Sequence, residues 1–340
     1  MKVSKKFARM GALALSALMV LALAACGGNQ PSGGDQPTGS SDGGTDTAPL
    51  KVGIIQLLEH TALTQAREGF VDALASNGYV DGDKVTLNVQ IGSGDVNNLS
   101  TIADQLIADK SDLILAIATP SAQAVAGKTS TIPILGTAIT DYEVAGLVEF
   151  NDAPSRNVSG TTDMNPIEEQ IDLLLQIVPD AKVIGFIYSS NEDNSRLQID
   201  IAKGIVEGKG LTWKEVTIAN SNDVQQACTS IASQVDALYL PTDNVLASTM
   251  PTVYSVSLES KTPVICAEQG MVENGGLATL GINYYDLGYQ TGLMAIRALQ
   301  GEDVSKMPIE RSSSYDYYIN GEVASSIGIT IPSALQQYVH

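Results

Sequence analysis

Beyond residue 50, short apolar runs alternate with longer amphipathic ones. The apolar runs predict strands at residues 51–57, 85–91, 113–118 and 132–136. The amphipathic runs predict helices at residues 61–77, 96–109 and 121–127. Strands that alternate with helices are typical of parallel sheets covered by helices on both faces. The pattern therefore predicts an α/β fold.

The second half of this region repeats the first. Three pairs of predicted strands correspond in order: residues 51–55 with 182–188, 112–116 with 236–240, and 132–135 with 262–265. The members of each pair lie about 130 residues apart. Generic α/β composition could produce any one of these pairs, but three in register favour two similar Rossmann-like lobes with parallel sheets.

We expect the chain to pass between the lobes three times, near residues 159–164, near residues 281–285 and after residue 315, which gives a three-stranded hinge. The predicted N-terminal lobe comprises residues 50–161 and 286–314. The predicted C-terminal lobe comprises residues 162–285 and 315–340. Loops and helix starts of both lobes would meet in a cleft at the carboxyl ends of the strands, where such folds bind ligands.

The N-terminus has the pattern of an export signal. Basic residues precede an uncharged apolar run at residues 10–25, which ends in small residues before Cys26. A transmembrane anchor is the alternative, but this run is shorter than the roughly 20 residues that a spanning helix needs. We predict a lipoprotein signal peptide at residues 1–25 and a lipidated, membrane-attached Cys26. Residues 26–49 are mostly small and polar, so we predict a disordered tether.

Charge and motif content exclude several classes of protein. Without residues 1–25 the chain has 15 basic and 38 acidic residues, a formal charge of −23, so nucleic acid is not an expected partner.

The spacing of Cys and His predicts no metal site, and we expect no cofactor. Cys228 and Cys266 could form a disulfide outside the cytoplasm or stay reduced and buried. We expect a monomer.

Five segments carry a resemblance to a known family: KVGIIQ at 51–56, ATPSAQ at 118–123, KVIGFIYSSNEDNS at 182–195, LGINYYDLG at 280–288 and GITIP at 328–332. Together they resemble the ABC transporter substrate-binding lipoproteins, over essentially all of residues 50–340. The resemblance implies the type I periplasmic-binding-protein fold, a small-molecule ligand and an ABC permease as partner. Better-known members are described as binders of tryptophan or other aromatic amino acids, so it favours an aromatic amino acid as ligand.

Candidate ligand contacts in the first lobe lie where a predicted strand meets a helix. We predict Thr119 as the N-cap of that helix, Pro120 as its first residue and Ser121 and Ala122 just inside. Free backbone N–H groups at a helix start suit a ligand carboxylate, although an ordinary capped helix looks the same. Further candidates in this lobe are Gln56, His60, Thr140 and Asp141.

In the second lobe, the polar loop after residue 188 and two later loops supply the candidates. They are Ser189, Ser190, Asn191, Ser195, Thr242, Asp243, Asn244, Glu268 and Gly270. A ligand ammonium needs carboxylates around it. Asp243 is our first candidate for this contact, followed by Glu268 and Asp141. Any of these acids could instead cap a helix.

Aromatic side chains at strand ends could sandwich a flat ligand. The candidates are Tyr142, Tyr188, Tyr239, Tyr284 and Tyr285, of which we expect about two to touch it, and Asn283 lies beside the last pair. His60 is the one histidine before the terminal His340. It has no second metal-binding residue near it, so we expect it to form a polar wall of the cleft or simply to lie on the surface.

Two other functions are kept as alternatives. The first is a ligand-sensing receptor whose closed form is recognised by a separate signalling partner. An exported enzyme on the same fold would need a nucleophile or a metal beside its carboxylates, and no nucleophile elbow, phosphate-binding loop or dinucleotide motif occurs in the sequence.

Overall fold

The computed structural model describes residues 48–340 with the exception of Ser313. The predicted signal peptide at 1–25, the predicted lipidation of Cys26 and residues 26–47 of the predicted tether lie outside the described residues. Within the described part, no helix has the length and apolar character to cross a membrane.

Strands and helices alternate along most of the chain. The strands are β1 (Leu50–Gln56), β2 (Val85–Ile91), β3 (Leu113–Ile117), β4 (Ile134–Ile139), β5 (Val158–Thr162), β6 (Val183–Ser189), β7 (Thr212–Ile218), β8 (Ala237–Leu240), β9 (Val264–Cys266), β10 (Ala278–Gly281), β11 (Glu310–Arg311) and β12 (Asp316–Ile319). The α-helices are α1 (Thr61–Ser76), α2 (Val96–Ala108), α3 (Thr119–Ala126), α4 (Ile167–Ile177), α5 (Asp193–Gly208), α6 (Val224–Ala232), α7 (Asn244–Ser248), α8 (Met250–Ser260), α9 (Gln269–Glu273), α10 (Tyr284–Leu299) and α11 (Gly321–Ile327).

The strands form two six-stranded sheets with the same internal order. The first runs β11-β5-β4-β3-β1-β2 and the second runs β12-β10-β9-β8-β6-β7. We call these sheets and the helices packed on them the first and second lobes. The sequence prediction of two similar lobes with parallel sheets is confirmed, with one difference: β11 is parallel to β5, whereas β12 is antiparallel to β10.

The repeat extends to the side chains that begin the central strands. The Asp112 carboxylate accepts a hydrogen bond of 2.7 Å from the backbone N–H of Lys51 at β1. The Asp236 carboxylate accepts one of 2.7 Å from the backbone N–H of Lys182, next to β6. Each aspartate comes just before the neighbouring strand, so the two lobes fix equivalent strands by the same contact.

Helix α10 follows β10 of the second sheet but packs on α1 of the first lobe. The two helix backbones approach so closely that a Cβ on Gly69 would lie 2.0 Å from the Tyr285 carbonyl oxygen, and one on Gly288 would lie 1.9 Å from that of Ala66. Only glycine fits at such positions. Three connections run between the lobes, from β5 to α4, from β10 to α10 and from β11 to β12.

Each lobe has an apolar core against its sheet, and the two cysteines belong to the core of the second. Cys228 on α6 and Cys266 on β9 are both buried and unpaired. Burial raises the pKa of the Cys228 thiol to about 12. Of the two alternatives left by the sequence, the structure shows reduced, buried thiols.

Candidate ligand-binding cleft

A small inner cavity lies between the lobes. The first lobe lines it with His60, Ala62, Leu63, Ala138, Asp163 and Tyr284, and the second with Asn194, Thr242, Asp243, Asn244, Ala247, Glu268 and Met271. Apart from Ala138, which belongs to β4, the lining residues lie in loops or first helical turns that follow strands.

Hydrogen bonds join the two lobes across this cleft. They link His60 with Asn244 (3.1 Å), Thr61 with Asn274 (3.2 Å), Gln123 with Asp193 (3.1 Å), and Thr140 with Thr242 (3.4 Å) and Gln198 (3.2 Å). Since the bonds come from several elements of each lobe, the structure is that of a closed cleft.

Three buried carboxyl groups line the inner cavity. Asp163 accepts hydrogen bonds from the hydroxyls of Thr140 (3.0 Å) and Tyr284 (2.7 Å). Asp243 and Glu268 accept bonds from backbone N–H groups at the starts of α7 and α9. None of the ion pairs between described residues includes any of the three.

Burial controls the protonation of these groups. Loss of water raises the pKa of Glu268 to about 7, and it also raises the pKa of Asp163 and of Asp243. A cationic ligand group would supply the positive charge that these carboxyls lack. The cavity therefore favours an ammonium over an anion near its carboxyls.

Glu192 is a fourth buried acid that the sequence did not reveal. Burial, and then the nearby Asp243, raise its pKa above the ordinary range. Its Oε2 atom accepts hydrogen bonds from the side-chain amide of Asn244 (2.5 Å), from the backbone N–H of Asn244 (3.3 Å) and from the amide of Asn194 (3.3 Å). The only signal available was its place in the polar loop that begins at Ser189.

His60 has an unusual environment for a histidine. Burial lowers the pKa of its imidazole to about 4, although the hydrogen bond with Asn244 acts in the opposite direction. The ring is therefore neutral at neutral pH. Its Nδ1 atom is buried and has no hydrogen-bond partner.

Several other buried polar atoms at the carboxyl ends of strands also have no partner. They are Oγ1 of Thr119, Oγ of Ser121, Oγ of Ser189 and Oδ1 of Asn194. Most buried polar groups in folded proteins are hydrogen-bonded. Asn194 lines the inner cavity and Ser189 the outer one described below, so a molecule bound there would complete their bonding, whereas Thr119 and Ser121 line neither.

The predicted cap of α3 is wrong by one residue. The N-cap is Ala118, with φ 80° and ψ 151°, and Thr119 is the first helical residue. The positive φ turns the chain one residue earlier than predicted, so the Thr119 hydroxyl caps nothing. Ala138, which lines the inner cavity, also has a positive φ of 56°. Such strain in non-glycine residues is often found at functional sites.

An outer cavity of about 430 Å³ lies further along the cleft. Its wall is Leu57, Leu58, Gly94, Val96, Pro120, Ser189, Asn191, Glu192, Ala219 and Val245. The candidate residues from the sequence are thus distributed over two cavities rather than gathered in one.

The structure separates the remaining candidates by position. His60, Thr242, Asp243, Asn244, Glu268 and Tyr284 line the inner cavity, and Pro120, Ser189 and Asn191 line the outer one. Thr140, Ser195 and Gly270 contact cavity residues without lining either space: Thr140 binds Asp163, Ser195 bonds to Asp243, and Gly270 donates to Glu268. Ala122 is buried in the first-lobe core.

Four candidates lie away from both cavities and have other partners. The Gln56 side chain accepts a hydrogen bond from Arg67, and Asp141 binds the backbone of the turn that follows it. Ser190 donates to the Ile218 carbonyl, and Asn283 is the N-cap of α10.

Of the five candidate tyrosines, Tyr284 alone lines the inner cavity. Tyr142 and Tyr239 are fully buried and donate to Thr161 and Gln170, and Tyr188 and Tyr285 bind acidic side chains elsewhere. The apolar wall that the sequence did not indicate comes from Ala62, Leu63, Ala247 and Met271 in first helical turns, where apolar residues look like ordinary core.

Residues 51–340 match the family described as ABC transporter substrate binding protein. The chain belongs to this family. Over 291 residues it is 40% identical to the tyrosine-binding protein of Clostridioides difficile, with 85% of this chain and 84% of that protein covered. The family expected from the sequence motifs is thereby confirmed.

Solved structures of relatives agree with the fold and with the closed cleft. The ABC domain from Streptococcus pneumoniae in complex with L-Trp has a TM-score of 0.83 at 36% identity, covering 86% of this chain and all of that one. The ligand-free, open structure of a substrate-binding protein from Clostridium difficile is 44% identical but has a TM-score of only 0.66, covering 84% and 96%. The described structure therefore resembles the ligand-bound form more than the open one.

More distant structures establish the fold class alone. The leucine-binding protein of Thermotoga maritima is 14% identical with a TM-score of 0.58, covering 76% of this chain and 86% of that one. The predicted type I periplasmic-binding-protein fold is confirmed, and the chain is a substrate-binding protein of an ABC transporter.

Proposed function

We propose that this substrate-binding protein holds one aromatic amino acid between its lobes and delivers it to an ABC importer. The observation that carries the proposal is the inner cavity, which both lobes enclose and which combines an apolar wall with buried carboxyls. Two relatives support the ligand class, because one is named a tyrosine-binding protein and another was solved with L-Trp.

The apolar part of the cavity suits the ring. Ala62 and Leu63 of α1 and Ala247 and Met271 of the second lobe form this part, and Tyr284 adds an aromatic face. Ring pairs contribute about 0.5 to 1.5 kcal/mol beyond the burial of their area. Methionine adapts its shape to flat ligands and contacts aromatic rings favourably.

The polar part suits the amino-acid backbone. Asp163 and Glu268 have no basic partner in the described residues, and we assign them to the ligand ammonium. The unsatisfied hydroxyls of Thr119 and Ser121 line neither cavity, but Pro120 between them lines the outer one, and backbone N–H groups at the start of α3 point away from the helix. We assign the ligand carboxylate to this end of the cleft.

Closure follows from contacts made with both lobes at once. We propose that the first and second lobes move as two bodies about the three connections, with boundaries within about two residues of the predicted 161 and 285. A ligand that bonds to only one body would not favour closure, whereas one that bridges them shifts the equilibrium towards the closed form. The closed form is then the one presented to the permease.

We further propose that the protein is an extracytoplasmic monomer anchored by lipidated Cys26, with residues 26–49 as the tether. The sequence supports this through the basic and apolar segments before Cys26 and the small polar residues after it. We regard the protein as a receptor rather than an enzyme, since its family consists of solute-binding proteins.

Thermal unfolding in the presence of single compounds tests the ligand class. A ligand at 100 times its dissociation constant stabilises the folded state by about 2.7 kcal/mol. We expect tyrosine, tryptophan or phenylalanine to raise the unfolding temperature, with leucine, a hexose and a nucleoside as controls. A rise with the hexose or the nucleoside but with no aromatic amino acid would refute the proposal. Loss of uptake of the labelled amino acid after gene deletion would separate an importer from a sensor.

A further inference from the structure

One chain of hydrogen bonds fixes the protonation pattern of His60. The Glu192 Oε2 atom accepts a bond from the backbone N–H of Asn244, and a backbone N–H can only donate. In the structure Oε2 accepts from three N–H donors, namely this backbone N–H, the Asn244 NH₂ at 2.5 Å and the Asn194 NH₂ at 3.3 Å, so the proton of a neutral Glu192 belongs on Oε1. The Asn244 Oδ1 atom then faces the first lobe as an acceptor.

The orientation of Asn244 determines the tautomer of His60 across the cleft. The His60 Nε2 atom lies 3.1 Å from Asn244 Oδ1, so Nε2 must carry the ring proton. A neutral imidazole has one ring proton, and burial keeps this imidazole neutral by lowering its pKa to about 4. Nδ1 is consequently an unprotonated acceptor, and it has no partner although the ring lines the inner cavity.

A bare ring nitrogen accepts some ligand groups and rejects others. A carboxylate would be repelled, since two acceptors would face each other. An ammonium has better partners in the carboxyl groups of Asp163 and Glu268, which line the same cavity. The remaining donor on an aromatic amino acid is on its ring, as the hydroxyl of tyrosine or the indole N–H of tryptophan. Phenylalanine has no such donor.

We infer that His60 Nδ1 accepts a hydrogen bond from the ring of the bound amino acid and thereby selects tyrosine or tryptophan over phenylalanine. This inference rests on the proposed function. Asn244 and Glu192 are positioning residues, because they fix the tautomer from the opposite lobe. Recognition thus depends on closure: only the closed cleft brings Asn244 to His60.

Calorimetric titration of three proteins with tyrosine, tryptophan and phenylalanine tests the inference. For the wild type we expect tyrosine or tryptophan to bind at least about tenfold more tightly than phenylalanine, because an unpaired buried acceptor is costly. In His60→Ala the ratio of the affinity for tyrosine or tryptophan to that for phenylalanine should fall to near one. Asn244→Ala removes the same cross-cleft bond but keeps the imidazole. It should therefore weaken the binding of all three ligands and keep part of the preference over phenylalanine.

A second measurement leaves every residue of the cleft unchanged. The chain has two histidines, His60 and His340, so nitrogen NMR of histidine-labelled protein is simple to assign with His340→Gln. We expect the His60 Nδ1 resonance to show a new hydrogen bond with tyrosine or tryptophan but not with phenylalanine.

The outcomes separate this inference from the proposed function. His60→Ala could lose the same affinity for all three ligands, so that the preference over phenylalanine is unchanged, while the Nδ1 resonance of the wild type does not shift when ligand is added. That result would overturn the role of His60 but leave an aromatic amino acid as the ligand. Failure of the wild type to bind any of the three would overturn both.

Discussion

Gly270 of the second lobe packs directly on Thr61 of the first. A Cβ placed on Gly270 would lie 2.8 Å from the Cβ of Thr61, closer than real side chains approach. The same Cβ would lie 3.0 Å from Glu268 Oε2 within its own lobe. Gly270 and Thr61 belong to the starts of α9 and α1, so the two lobes touch here with no room for a larger side chain.

Gly270→Ala should therefore impair closure more than folding. We expect the affinity for the amino acid to fall at least about tenfold, since the closed form would have to open slightly and lose bonds to one lobe. The unfolding temperature without ligand should change little. Gly204→Ala on α5 is the matched control, because a Cβ there meets nothing within 4 Å. Unaltered affinity in Gly270→Ala would show that this contact does not limit closure.

Asp243→Ala should affect stability strongly. The carboxylate accepts bonds from the backbone N–H groups of Ser189 (2.6 Å) and Leu246 (3.0 Å), both buried. Its removal leaves these donors unpaired, and we expect a loss of about 2 to 4 kcal/mol in the free energy of unfolding. Asp141→Ala removes an exposed turn contact and should cost less than about 1 kcal/mol. Denaturant unfolding of the two variants gives the comparison, and similar losses would contradict this role of Asp243.

Glu268 should make the stability of the ligand-free protein depend on pH. Its pKa is about 7 in the folded protein against an ordinary value of 4.5, so the folded state binds the proton more tightly. The resulting stabilisation is complete below pH 4.5 and is lost as the pH rises through 7, a change of about 3 kcal/mol at most. The stability of the wild type relative to Glu268→Gln should fall over this range. A constant difference would mean that Glu268 titrates normally.

Cys26→Ala should abolish membrane attachment without changing the folded domain. The residues that join Cys26 to β1 are small and polar, so they add no apolar core. We expect the variant to lack lipid label and to unfold at the wild-type temperature. Lipid-labelled, membrane-bound Cys26→Ala protein would show that the anchor lies elsewhere.

The architecture could be predicted from the sequence because it depends on local patterns. The first strand, predicted at 51–57, is observed at Leu50–Gln56, and the repeated strands form sheets of identical order. The period at which apolar residues recur and the spacing of turns determine these features directly. The parallel pairing of β11 with β5 and the antiparallel pairing of β12 with β10 could not be predicted, because strands this short have no periodic pattern of their own.

The details of the site depend on contacts between distant residues, which no local pattern encodes. The Tyr284 hydroxyl donates to Asp163 at 2.7 Å although 121 residues separate them. Glu192 looks like a solvated loop acid but is 4% exposed, because residues of the next loop cover it. The cap of α3 was misplaced because nothing in an alanine indicates the positive φ of Ala118.

Binding of one aromatic amino acid between the lobes is tested most directly by calorimetric titration of the wild-type protein. The protein is first freed of retained ligand by unfolding and refolding, and is then titrated with L-tyrosine, L-tryptophan, D-glucose and adenosine. We expect saturable one-to-one binding of at least one of the two amino acids and no binding heat from glucose or adenosine. Saturation by glucose or adenosine, with neither amino acid binding, would contradict an aromatic amino acid as the ligand.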